Sequence, residues 1–278
     1  MKQETLQEFN GPMAVWQHPF YTEGPVVDAT GTLFVTNLQG GQILRITQEG
    51  IAAEWARASC PNGQMIAANG AHWVCDSKDA CVKCFDPSGK CSGVLAEGMV
   101  SGHLIQCPND LVSDGDGGFF FTDSVRHTGI VCHVDRHRKK RVIAAHLDYP
   151  NGIAWHPGTN QLFIAESYQN RILVADLNRG SSVPVVFSDL PRHPSGKAIA
   201  NLPDGLAFDC FHNLWVAHYG MGCIQILDQR GVLIRKLATE FQLTSNLFIQ
   251  DQLLLVTGGA GEPGPGFVQR LKTKEGEL

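Results

Sequence analysis

Apolar and polar positions along the chain fall into a pattern that recurs six times. A polar residue, an apolar triplet, a turn, a run rich in Val, Ile, Leu, Phe and Trp, a polar patch and a second such run make up each unit. The units are EGPVVDATGTLFVTNLQGGQILRI from Glu23, NGQMIAANGAHWVCDSKDACVKCFD from Asn62, NDLVSDGDGGFFFTDS from Asn109, NGIAWHPGTNQLFIAESYQNRILVADL from Asn151, DGLAFDCFHNLWVAHYGMGCIQILD from Asp204 and NLFIQDQLLLVTGG from Asn246. Their starts lie about 40–50 residues apart, the length of a propeller blade of four short strands. Turn signals such as Asp28-Ala29-Thr30-Gly31 and Asp116-Gly117-Gly118 bound the runs, and long helical periodicity is missing. The pattern predicts one all-β domain over residues 1–278, a six-bladed β-propeller of four-stranded antiparallel blades, since sheets closed into a ring leave few exposed edges. The last repeat is short of outer strands, so residues near Gly11 to His18 are expected to pair with the C-terminal blade and close the circle.

The first residue of every repeat carries a side-chain oxygen: Glu23, Asn62, Asn109, Asn151, Asp204 and Asn246. Equivalent positions around a ring converge on its axis. Asn62 and Asn246 read as turn residues that bond their own backbone. Glu23 and Asp204 do not, because Glu is a poor turn residue and two buried acids together need a cation or a proton. An all-oxygen set of two carboxylates and two amides suits one hard divalent cation, Ca²⁺ first, with Mg²⁺, Mn²⁺ or Zn²⁺ as alternatives.

Composition narrows the partners. The 278 residues carry a formal charge of −5, spread along the chain apart from Arg136–Arg141, which reads as a solvated hairpin tip. No broad basic footprint for nucleic acid and no apolar run long enough to span a membrane is present. The start, MKQETLQEFN, lacks the apolar core of a signal peptide, and nine irregularly spaced cysteines fit reduced thiols, so a cytoplasmic location is expected. Cys81 and Cys84 have C-x-x-C spacing but fall in a strand-like run, where side chains three apart face opposite ways; the pair reads as structural. Asp114, Asp116 and Gly118 fail as a calcium loop because Gly118 stands where a ligand is needed, and Gly258–Gly266 is a loop without the G-K-[ST] of a phosphate cradle.

The segments EGPVVDATGTLFVTN, CPNDLVSDGDGGFFFTDS, NGIAWHPGTNQLFIAES and LPDGLAFDCFHNLWVAHYG resemble the gluconolactonase and regucalcin (senescence marker protein) family over about residues 23 to 260. That resemblance implies metal ligands at Glu23, Asn151 and Asp204, with Asn109 as a further ligand or substrate contact. In the animal sugar lactonases of the family an Arg stands two residues before the Asn matched by Asn109; here the place is taken by Cys107, and the bacterial members with P-N-D-L and F-T-D are closer. Cys107, Asn109, Asp123 and His193 are accordingly expected to contact substrate.

The chemistry expected is hydrolysis of a small lactone, a sugar lactone first. The metal polarises the carbonyl, Asp204 is the general base, and His218 is a second catalytic candidate. His103, His127 and His193 lie in loops that could overhang the same mouth, and Ser188–Ala200, with Arg192, His193, Pro194 and Lys197, is the candidate lid. The same axial ion would also serve a phosphotriesterase resembling diisopropyl fluorophosphatase, with Asp204 as nucleophile. A non-catalytic calcium-binding or interaction propeller is the reading from another class.

Overall fold

The structure, a computed structural model, describes residues 4–6, 13–179, 183–273 and 278. Strands dominate it, joined by tight turns and a few short 3₁₀ segments. Four discrete four-stranded antiparallel sheets follow one another along the chain. The first holds Thr22–Val27, Leu33–Asn37, Gln42–Ile46 and Ala52–Arg57, and the second Pro61–Ile66, His72–Asp76, Cys81–Phe85 and Cys91–Glu97. The third holds Pro108–Ser113, Phe119–Asp123, Gly129–Val134 and Lys140–Leu147, and the fourth Pro150–His156, Gln161–Glu166, Arg171–Asp176 and Val185–Asp189.

The rest of the chain corrects the expected count of six blades. The fifth and sixth repeats do not form separate sheets: Tyr219, at the end of Leu214–Tyr219, pairs with Leu243 at the start of Leu243–Gln250, and the two repeats merge into one nine-stranded sheet. That sheet also takes in Glu4–Thr5, parallel to Leu233–Ala238, and Met13–His18, antiparallel to Gly266–Lys272. The fold is therefore an all-β, propeller-like array of four blades plus a nine-stranded sheet. Gly11 and Pro12, expected at the closing strand, lie outside the described residues.

The second strands form because β-branched and aromatic residues sit well on a doubly covered pleat. Phe119, Phe121 and Cys132 of the third sheet pack on Trp73, Cys75 and Val82 of the second, all buried. Asp turns join the strands: Asp114 Oδ1 accepts the backbone N–H groups of Asp116 and Gly118, both at 2.8 Å, so the calcium-loop look-alike is a hairpin device. The run Arg136–Arg141 sits at the turn between Gly129–Val134 and Lys140–Leu147, as the sequence pattern indicates. Cys81 and Cys84 share one strand with no disulfide.

Two devices tie neighbouring repeats together at their first strands, the hydroxyls mostly from the ends of the preceding second strands. Hydroxyls reach across: Ser77 Oγ donates to the Pro108 carbonyl, Ser124 Oγ to Pro150, Ser167 Oγ to Pro203 and Ser245 Oγ to Thr22, at 2.6–3.0 Å. Glycines then permit backbone contact. A Cβ on Gly152 would stand 2.0 Å from the Asp204 carbonyl oxygen, and one on Gly205 2.2 Å from Asn246 Oδ1. No rotamer relieves a clash with backbone, so Gly152→Ala is expected to cost about 2–4 kcal/mol, read as a lower midpoint in urea unfolding. A variant as stable as the wild type would show that this contact relaxes freely.

Candidate active site

Each first strand carries a β-bulge beside its opening polar residue. Register slips between Glu23 and Val26, Pro61 and Gln64, Pro108 and Leu111, Pro150 and Ile153, and Pro203 and Leu206. A bulge re-aims side chains off the ladder. Glu23, Asn62, Asn109, Asn151 and Asp204 thereby line one cavity of about 190 Å³, all of them buried. Its outer wall comes from Tyr21, Tyr149, Tyr168, Tyr219, Ile199 and Glu262. A larger cavity of about 390 Å³ is lined by later residues of the same strands, among them Val26, Gln64, Asp110, Leu206 and Asn246. It has one acid, Asp110, and one hydroxyl, Ser113, in an otherwise apolar and amide lining, whereas the smaller cavity gathers three acids, Glu23, Asp204 and Glu262.

Charge is under strain there. Burial, with Asp110 adding repulsion, pushes the Glu23 carboxyl up to about 8. Burial raises Asp204 well above the carboxylate range, and Glu23, Asp110 and Glu262 push the same way. Asp110 itself rises to about 7, chiefly through burial. Two amide oxygens nearby, Asn62 Oδ1 and Asn151 Oδ1, are buried without a hydrogen-bond partner. Lone pairs without donors beside acids that lack a countercharge are what a hard cation satisfies. The residues therefore fit a divalent ion held by Glu23, Asn109, Asn151 and Asp204, with Asn62 adjacent. Among the described residues no cluster of three or more His, Cys, Asp or Glu is arranged for a metal.

Several expected site residues lie elsewhere. His218 is fully buried; its Nδ1 is 2.6 Å from Gln225 Nε2, burial lowers its pKa to about 3, and it does not line the cavity. Asp123 is buried and accepts the backbone N–H groups of Gln106 and Cys107, tying down the loop before its own sheet, as Asp76 does for Ser59 and Cys60. Cys107 is half-buried behind that anchor, its thiol raised by burial and by Asp123. His193 bonds Ser195 Oγ at 2.8 Å; neither it nor Cys107 is on the cavity wall. His103 lies against His146 and His127 beside Asp148, likewise off the wall.

From Ser188–Ala200 it is Ile199 that reaches the cavity. Asn246 bonds its own backbone, Oδ1 accepting from Leu247 N–H at 2.8 Å, whereas Asn62 turns to the site instead. The four tyrosines and Glu262 carry no repeat signal of their own; only Tyr21 and Tyr149 stand at a common offset, two residues before Glu23 and Asn151.

An all-β propeller-like frame around a buried acid-and-amide cavity defines the class, and the comparisons agree with it. Residues 21–258 match the SMP-30/Gluconolactonase/LRE-like region, and the chain belongs to that family. Lactonase drp35 of Staphylococcus epidermidis is 26% identical over 224 residues, 75% of this chain and 66% of that relative, so the chain spans just under two thirds of its length. The Staphylococcus aureus protein of the same name is 27% identical over 224 residues, with 75% and 67% covered. Among solved structures, a gluconolactonase from Xanthomonas campestris superposes with a TM-score of 0.78 at 22% identity, covering 92% of this chain and 87% of that one. A calcium-binding protein, regucalcin, from Agrobacterium tumefaciens gives 0.69 at 19%, covering 92% of each. At these identities the structures show the fold alone. Among the described residues no helix is long and apolar enough to cross a membrane.

Without a cation, Glu23 is ionised in the unfolded chain above its ordinary value near 4.5 and stays protonated in the fold up to about 8. Stability is therefore lost as pH rises through that window. In chelator, Glu23→Gln is expected to be more stable than the wild type by about 2–4 kcal/mol at pH 8, the gap closing towards pH 5, as read in urea melts. A gap independent of pH would mean that Glu23 is already ionised in the folded protein.

Proposed function

We propose that this protein is a divalent-metal-dependent hydrolase that opens small lactones, sugar lactones first, with Ca²⁺ as the preferred ion. One observation carries the reading: two buried acids without a countercharge, Glu23 and Asp204, share a cavity with the unpartnered oxygen of Asn151. Kinship with proteins named lactonase supports the reaction class, and the nine unpaired cysteines fit a cytoplasmic setting.

A bound cation supplies Lewis acidity towards a lactone carbonyl and countercharge for its ligands. Glu23 and Asn151 would hold it from the first and fourth sheets, and Asn109 would hold it from the third or meet substrate. Asp204 takes the proton of the attacking water. It needs to be ionised for that, and burial and the neighbouring carboxyls raise its pKa, so a countercharge beside it would favour the ionised form. The four tyrosines and Ile199 enclose the ring and exclude bulk water from it. As the ring C–O bond breaks, Asp204 returns its proton to the leaving ring oxygen, and the product is the hydroxy acid, which ionises in water.

Activity on a panel of aldonolactones is expected to vanish in chelator and return with calcium. Asp204→Asn should lower kcat by about 10²–10⁴-fold, and calcium should raise the thermal midpoint of the wild type more at pH 8 than at pH 6, because binding displaces protons. Chelator-insensitive turnover would remove the metal mechanism. Hydrolysis of phosphotriesters with inert lactones would favour the phosphotriesterase reading, and calcium binding with no turnover a non-catalytic one.

A further inference from the structure

The Gly-rich stretch after Leu253–Gly259 brings one acid to the cavity mouth. Ala260–Gly266 is pinned over it: the Pro263 carbonyl accepts from Tyr21 N–H at 2.8 Å, and the Pro265 carbonyl from Ala260 N–H at 3.1 Å. Where a Cβ on Gly264 would stand, the Pro19 carbonyl oxygen is 2.3 Å away, so the loop lies flush on the chain that leads to Glu23. Glu262 is thereby fixed on the wall, its Oε1 accepting from Tyr219 OH at 3.0 Å and its Oε2 from Gln39 Nε2 at 3.2 Å.

Both partners are neutral. Among the described residues no lysine or arginine pairs with Glu262 or lines the cavity; Arg126, which lies over the ring of the lining residue Tyr168, is bound to Asp148. Glu23 and Asp204 match the two charges of a divalent ion, which leaves Glu262 as the uncompensated charge on the wall. It shares the cavity lining with Tyr149, Tyr168 and Tyr219 of other repeats.

We propose that Glu262 is a specificity-determining residue that selects uncharged lactones against those bearing a carboxylate or phosphate. This deepens the lactonase reading and rests on it. The hydroxy-acid product is itself an anion, so the same charge weakens its hold on the site. Selection of this kind works by repulsion of the wrong substrate, and an exposed charge does so in a salt-dependent way.

The test compares kcat/KM for a neutral aldonolactone and a carboxylate-bearing aldarolactone in calcium-loaded wild type, Glu262→Gln and Glu262→Asp, at low and high salt. Glu262→Gln is expected to narrow the preference for the neutral ring by about three- to tenfold, Glu262→Asp to keep most of it, and salt to narrow it in the wild type and Glu262→Asp but not in Glu262→Gln. A second arm reads binding without turnover: gluconate affinity, by titration calorimetry, should rise by a similar factor in Glu262→Gln. An unmoved preference with both lactones turned over overturns the proposal. So does gluconate affinity that is unchanged, or undetectable in both proteins. A wild type that hydrolyses no lactone, while gluconate affinity still rises in Glu262→Gln, overturns the lactonase reading and leaves the charge filter standing.

Discussion

The close contact between the first strands of successive repeats is the constraint on which the rest depends. Hydroxyls of Ser77, Ser124, Ser167 and Ser245 each bond a carbonyl in another repeat, and Gly152 and Gly205 let backbone meet backbone. Each such bond contributes only about 1 kcal/mol. Their value is geometric, because they fix the bulges that aim Glu23, Asn109, Asn151 and Asp204 into one small space. Apolar packing between neighbouring sheets supplies the bulk of the stability, and this inner layer decides where the oxygens stand.

That layer also concentrates negative charge where water is scarce. Glu23, Asp110 and Asp204 repel one another under burial, a cost that a fold built for stability alone would avoid by placing Asn or Ser at the same positions. Structural acids in this chain behave differently. Asp76 is as deeply buried, yet it accepts the backbone N–H groups of Ser59 and Cys60 and also meets Lys83, a countercharge that neither Glu23 nor Asp204 has among the described residues. Satisfied carboxylates hold loops in place; uncompensated ones call for a ligand.

Much of this was legible in the chain. Five of the six polar residues at repeat starts line one cavity, and their position was readable because it comes from periodicity, which a single sequence displays. The sheet count was not legible: whether the fifth and sixth repeats stay apart turns on one cross-strand pair, Tyr219 with Leu243, that no local pattern encodes. His218 and Asp123 misled for a related reason. Both fall at the end of a second strand, near the mouth along the chain, but on the inner side of the ladder where side chains brace loops or core. Glu262 was invisible since it comes from an irregular loop, and only the contact of that loop with Pro19–Tyr21 carries it to the cavity.

The nine-stranded sheet ties together parts of the site that the repeats would keep independent. Asp204 arrives on its strand Leu202–Phe208, Glu262 hangs from the hairpin joining Leu253–Gly259 to Gly266–Lys272, and both N-terminal strands add to the same ladder. The proposed base and the charge at the mouth are thus carried by one sheet, while Glu23, Asn109 and Asn151 belong to three others.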